Sequence, residues 1–143
     1  MKIFTIGYQG ATQAEVIAAL KDAGVARLID VRAVPLSRKP GFSKNMLARG
    51  LSEAGIDYVH LRALGTPPEG RYAARKNDRA TLETVYAEQL ELPEAIAEAA
   101  MMLDLAAEKP SALLCFERDP AICHRTLLLD AVAKQAEVVD LFA

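Results

Sequence analysis

ALLCFERDPAICHRTLLL, residues 112–129, decides how the chain is read. Its first part is an apolar, β-prone run that closes at Cys115. Its second part opens with Asp119-Pro120, a helix start in which Asp serves as N-cap and Pro fits the first helical position. A helix is predicted from there to about Lys134. A buried strand feeding a helix is the unit from which open α/β sheets are built. Both cysteines, one of the two histidines, Glu117, Arg118 and Arg125 fall within the eleven residues from Cys115 to Arg125, around this junction. Ligands of such sheets bind beyond the carboxyl ends of the strands, so this junction is the first candidate for a site.

The same alternation extends in both directions. Residues 2–7 (KIFTIG) form a short strand ending at glycine. Thr12 and Glu15 make a capping-box signature, and Val16, Ile17 and Leu20 supply the apolar stripe of a helix that Gly24 ends. Residues 27–31 are a second strand, followed by a loop to Phe42 broken by Pro35, Pro40 and Gly41. Ser43 caps a helix through Ala54, with Leu47 and Leu51 inward and Gly55 as its stop. Residues 56–61 are a third strand, and residues 64–71 (LGTPPEGR) read as an irregular loop. From Arg79 the pattern is helical to Ala107, with an interruption near Pro93 that gives two helices or one kinked helix. Residues 111–116 are the fourth strand and residues 137–141 the fifth. The expectation is an α/β fold over residues 1–143: a single compact domain, with a mostly parallel sheet of about five strands and helices on both faces.

Bulk properties narrow the class. The 143 residues are 52% hydrophobic and 25% charged, as in a globular protein that builds its core without staples. No apolar run approaches the roughly 18 residues that span a bilayer, and no signal-peptide pattern opens the chain, so a cytoplasmic address is expected. There, two cysteines are expected as thiols and not as a disulfide. The net charge of −2 gives no global pull on nucleic acid or membranes. Its distribution is uneven. Residues 27–49 carry six basic side chains against Asp30 alone, and residues 62–79 carry five against Glu69 and Asp78. Residues 83–108 hold seven acids and no base. The two basic stretches are either solvated surface or a positive rim around an anion-binding cleft.

In the predicted register, the strand ends bring together Gly7 and Tyr8, Asp30 and Arg32, Arg62, and Cys115 with Glu117. Cys115 is a core thiol or a nucleophile. Cys123, near a helix start, is an inward-facing core residue or a stabilised thiolate. Arg125 so close to a helix start opposes the dipole, which points to a fixed anionic partner such as Glu117, Asp30 or a ligand phosphate, unless it faces solvent. His124 and Arg125, being neighbours on a helix, point in different directions. Asp30 and Arg32 either pair structurally or present a carboxylate and a guanidinium to a ligand. No GxxxxGK[ST], GxGxxG or CxxC is present, and Ala121 stands where a cysteine phosphatase would carry arginine. Cys115, Cys123 and His124 offer three zinc ligands at irregular spacing, with His60 or Asp30 as a fourth, and no metal is assigned. No cofactor is indicated.

Taken in order, TIGY from Thr5, IDVR from Ile29, the Pro35, Ser37 and Phe42 loop, GIDY from Gly55, LGTP from Leu64, Tyr86, and LLCFE with CHR between Leu114 and Arg125 resemble the domain-of-unknown-function 488 family of small bacterial and archaeal proteins. The resemblance covers nearly the whole chain and implies a compact α/β fold with a shared pocket; it implies no general activity. Tyr8 departs from the histidine that many relatives carry there.

The leading reading is a small enzyme whose pocket binds an anionic ligand, such as a phosphate, nucleotide or nucleic acid. Cys115 is its candidate nucleophile, Glu117 or Asp30 the acid/base, and Tyr8, Arg32, Arg38, Cys123, His124 and Arg125 are its ligand-binding residues. The rival is a thiol- or metal-dependent sensor without turnover. Nucleic-acid binding through the basic loops ranks third, since four Phe and four Tyr form no stacking pattern.

Overall fold

A computed structural model describes residues 1–143. Five strands form one sheet: β1 (Lys2–Gly7), β2 (Arg27–Asp30), β3 (Asp57–His60), β4 (Ser111–Cys115) and β5 (Glu137–Leu141). Their order is β3-β2-β4-β1-β5 and every neighbouring pair is parallel. Six helices connect them: α1 (Gln13–Asp22), α2 (Lys44–Glu53), α3 (Pro68–Arg75), α4 (Arg79–Leu90), α5 (Pro93–Glu108) and α6 (His124–Val132). No helix is long and apolar enough to cross a membrane.

Alternation along the strands divides the core in two. Phe4, Ile6, Leu28, Ala112 and Leu114 face α1 and α2 and meet Val16, Leu20, Leu47 and Leu51. Ile3, Ile29, Val31 and Leu113 face the other way, against Tyr86, Met102 and Leu128 of α4, α5 and α6. The crossovers after β1 and β2 therefore cover one face, and those after β3 and β4 the other. Because β4 lies between β1 and β2, its exit loop leaves in the opposite direction from both neighbours. That divergence opens a crevice at the carboxyl end of β4, the switch point of an open α/β sheet.

Several local expectations are corrected. The capping box at Thr12 and Glu15 forms in both directions. Ser43 stands at the N-cap of α2, but its hydroxyl bonds Ser37 across the preceding loop instead of the helix backbone. Residues 64–71 are not irregular: Arg62–Leu64 is a 3-10 turn and α3 starts at Pro68. The two prolines read as breakers, yet proline suits a first turn, where its missing N–H has no partner to lose. The interruption near Pro93 is a true break between α4 and α5. The helix expected from Asp119 is split. Asp119 caps only a 3-10 turn, Pro120–Ile122, and α6 starts afresh behind Cys123.

Candidate functional site

A pocket of about 150 Å³ fills the crevice. Tyr8 enters from the loop after β1, and Arg32, Ala33 and Val34 from the loop after β2. Cys115, Phe116, Glu117 and His124 come from β4 and its exit, and Thr66 and Arg71 close the side nearest α3. The volume is below the ~300–1,000 Å³ of a drug-sized site.

One wall is a buried polar network. Asp30 is wholly buried and accepts from the backbone N–H, Nε and Nη2 of Arg32 at 3.1, 2.9 and 2.7 Å, and from the Tyr58 hydroxyl. Arg32 also donates through Nη1 to the Phe42 carbonyl at 2.7 Å and to the Tyr8 hydroxyl at 3.3 Å. Burial works against the Arg32 charge, but the Asp30 carboxylate more than offsets it, so Arg32 is held charged above its ordinary range. Burial, reinforced by Asp30, likewise raises Tyr58 above the usual phenol range. Tyr8 lies flat on Phe42, ring centroids 4.4 Å apart, with Phe116 set edge-on to it. Asp30 thus positions Arg32 and does not reach the cavity itself.

The opposite wall is built on sulfur. Cys115 and Cys123 are joined in a disulfide, and no thiol is free. This corrects the expectation of two thiols. The turn between them returns the chain, because Asp119 accepts from the Ala121 N–H and Thr126 donates its hydroxyl to the Pro120 carbonyl. Cys123 consequently stands at the N-cap of α6, beside the end of β4, and its Sγ accepts the Arg125 N–H at 3.5 Å. A spacing without CxxC hides this proximity, since the 3-10 turn and not the sequence distance creates it.

Arg125 lies behind Cys115 with no exposed surface. Its Nη1 donates to Cys115 Sγ and to the Glu117 carbonyl, each at 2.7 Å, and its Nη2 to the Arg118 carbonyl at 3.3 Å. Its Nε has no partner and it makes no ion pair. The fixed partners anticipated for it are backbone carbonyls and a sulfur, not the carboxylates of Glu117 or Asp30. Burial pulls its proton affinity down. Gly7 makes room for this loop: a Cβ there would collide with the Glu117 carbonyl oxygen.

His124 does point away from Arg125. Its Nε2 lies 2.8 Å from the Val31 carbonyl, which can only accept, so Nε2 carries the hydrogen and Nδ1 keeps its lone pair. Burial lowers its pKa from 6.5 to about 4, so the ring is neutral, and Nδ1 faces Cys123 Sγ at 3.8 Å. Glu117 is partly buried at the pocket, and desolvation raises its carboxyl above the ordinary range. The Cys115, Cys123 and His124 donor atoms lie within 4.8 Å of one another. Only reduction would release the two sulfurs as ligands.

Of the residues singled out in the sequence, Tyr8, Arg32, Cys115, Glu117 and His124 line the pocket. Asp30, Cys123 and Arg125 stand directly behind them. Arg38 is exposed in the loop after β2 and does not join the group. Thr66 and Arg71 were not anticipated, because the helix that carries Arg71 was read as loop. The basic stretch of residues 62–79 was the available signal for them.

The chain matches no curated protein and no solved structure. A family model described as domain of unknown function DUF488 matches residues 12–132, which hold the exits of β2, β3 and β4 and both cysteines, and the chain belongs to that family.

Proposed function

We propose that the protein is a small cysteine enzyme that binds an anionic group in the switch-point pocket and reacts with its ligand through Cys115. The disulfide is then the oxidised form of the site, and the reduced form is the reactive one. One observation carries this reading: Arg125 is a buried cation without a carboxylate, and its shortest contacts include Cys115 Sγ. A buried charge needs a counter-charge. On reduction, a Cys115 thiolate is the group in contact that can supply one, and a neighbouring guanidinium favours the thiolate over the thiol. Glu117, with its raised proton affinity, is placed to give a proton to a leaving group. Asp30 acts through Arg32. The chemistry suits a reducing compartment, consistent with the expected cytoplasmic setting.

The test is alkylation of the reduced protein at a series of pH values, mapped to each cysteine by mass spectrometry. Cys115 should label faster than Cys123 and keep labelling where an ordinary thiol, with a pKa near ~8.5, is protonated. Arg125→Met should abolish that advantage. Labelling of neither cysteine before unfolding sinks the proposal. The disulfide itself favours a second reading, a sensor in which oxidation ties the end of β4 to α6. A sensor changes stability reversibly on oxidation and has no turnover.

A further inference from the structure

A second cavity of about 520 Å³ adjoins the Cys115 pocket. The two share Ala33, Val34 and Arg71 as lining residues, so they lie side by side along one depression, a narrow inner part and a wide outer part. Arg71 is the charged side chain common to both.

Acidic and basic groups both line this depression: Glu117 in the inner pocket, Glu94 and Glu98 in the outer cleft, and Arg32, Arg62 and Arg71. Arg32 is committed to Asp30, and the His124 ring is neutral. In the outer cleft, both Glu98 oxygens accept the Ala63 N–H, at 3.1 and 3.2 Å. Glu94 lies in the first turn of α5, where the helix N-terminus favours a carboxylate. Arg71, half-buried, donates Nη1 to the Thr66 carbonyl at 2.8 Å and makes no ion pair. Arg62, exposed on the cleft wall, makes none either. A guanidinium with free N–H groups at the junction of two cavities is a seat for a carboxylate. The inner pocket, with room for about five waters at ~30 Å³ each, takes a short chain ending in one reactive atom.

We propose that this depression is the entry site of low-molecular-weight thiols that carry a carboxylate, and that such a thiol opens the Cys115–Cys123 disulfide with its carboxylate on Arg71. The inference rests on the reading of Cys115 as the reactive sulfur and names what brings that sulfur into its reduced form. The incoming thiolate attacks Cys115 Sγ, the sulfur that lines the pocket. The protein S–S bond breaks as the mixed disulfide forms, and Cys123 leaves. The proton lost by the incoming thiol ends on Cys123 Sγ, which then donates to His124 Nδ1. A second thiolate, formed by loss of its proton to solvent, attacks the outer sulfur of the mixed disulfide. It releases the oxidised low-molecular-weight disulfide and leaves a Cys115 thiolate beside Arg125. Two thiols are oxidised and one protein disulfide is reduced.

Three probes of similar size separate charge from thiol chemistry: mercaptoacetate, mercaptoethanol and cysteamine. The opening of the disulfide is followed by mass spectrometry at low salt, and each rate is expressed per thiolate. Mercaptoacetate should exceed mercaptoethanol by roughly ten-fold, the factor one charge-assisted hydrogen bond supplies, and cysteamine should be slowest. Arg71→Gln should bring mercaptoacetate down to the mercaptoethanol rate, and Arg71→Lys should keep part of the preference. High salt should compress the preference in the unmutated protein, which needs no variant to fold. Equal rates for all three thiols overturn the subsite and leave Cys115 as the reactive sulfur. Mixed disulfides on Cys123 overturn the order of attack. If no thiol opens the bond before unfolding, the subsite and the cysteine reading fall together.

Discussion

Arg32 and Arg125 are both buried at the same edge of the sheet, one after β2 and one at the start of α6, and they are held in opposite ways. Arg32 has a dedicated carboxylate, bound through two nitrogens and backed by Tyr58. Arg125 has two carbonyls and a sulfur. A buried guanidinium satisfied by its own carboxylate is structural: its charge is cancelled whatever happens nearby. One left with neutral acceptors in contact feels carboxylates only from a distance, here Asp140, Glu117 and Asp119, and favours whatever can become an anion beside it. The difference teaches which arginine supports the fold and which one, on the proposed reading of Cys115, would condition the chemistry.

The most damaging way to break the contrast is Asp30→Ala. It turns Arg32 into a second unpaired cation and should cost about 3–5 kcal/mol of stability, read from a denaturant midpoint. A loss under about 1 kcal/mol would mean that Arg32 never depended on its carboxylate, and the contrast would be false.

A pH titration of stability examines the link between the two regions. His124 bonds the peptide carbonyl between Asp30 and Arg32 through Nε2 and faces Cys123 through Nδ1. Its folded pKa of about 4 lies below the ordinary 6.5, so between those values the unfolded chain takes up a proton that the folded chain refuses. Stability should be intact above pH 6.5 and fall toward pH 4, by up to about 3 kcal/mol. His124→Gln should flatten that segment of the curve; an unchanged slope would assign the acid loss elsewhere.

Arg125→Met should give the smallest effect. With the disulfide intact, the oxidised variant should stay within about 1 kcal/mol of the parent, since removing an unpaired buried charge offsets the lost hydrogen bonds. A loss as large as that of Asp30→Ala would show Arg125 to be as structural as Arg32. Calorimetry on both oxidised proteins decides this.

Much of the frame was legible because it is written locally. Strands β1 and β5 fall on the residues expected, β2, β3 and β4 differ only at their ends, and the alternation of strands with helices already implied two covered faces. Helix α3 was not legible, because Pro67, Pro68 and Gly70 resemble a turn. Its helical character comes from packing Gly70 and Ala73 against the structure, and sequence periodicity does not show that. The convergence of Tyr8, Arg32, Cys115 and Glu117 followed from the strand ends; Arg62, expected with them, lines the neighbouring cavity instead, and His124 joins them from the start of α6. The disulfide and the isolation of Arg125 did not, since both depend on how the chain turns between Glu117 and Cys123. Arg38 illustrates the opposite error: it carries the right charge in the right loop, and the loop faces it outward.

Gly7 ties the first strand to this chemistry. The space left by its missing side chain is occupied by the Glu117 carbonyl, the same oxygen that anchors Arg125. Any larger residue at position 7 would push that oxygen away, and the guanidinium with it. On the reading proposed for Cys115, its reactivity would therefore depend on an empty volume near the beginning of the chain. A substitution at position 7 would look like a defect in strand packing and behave as a cysteine mutation.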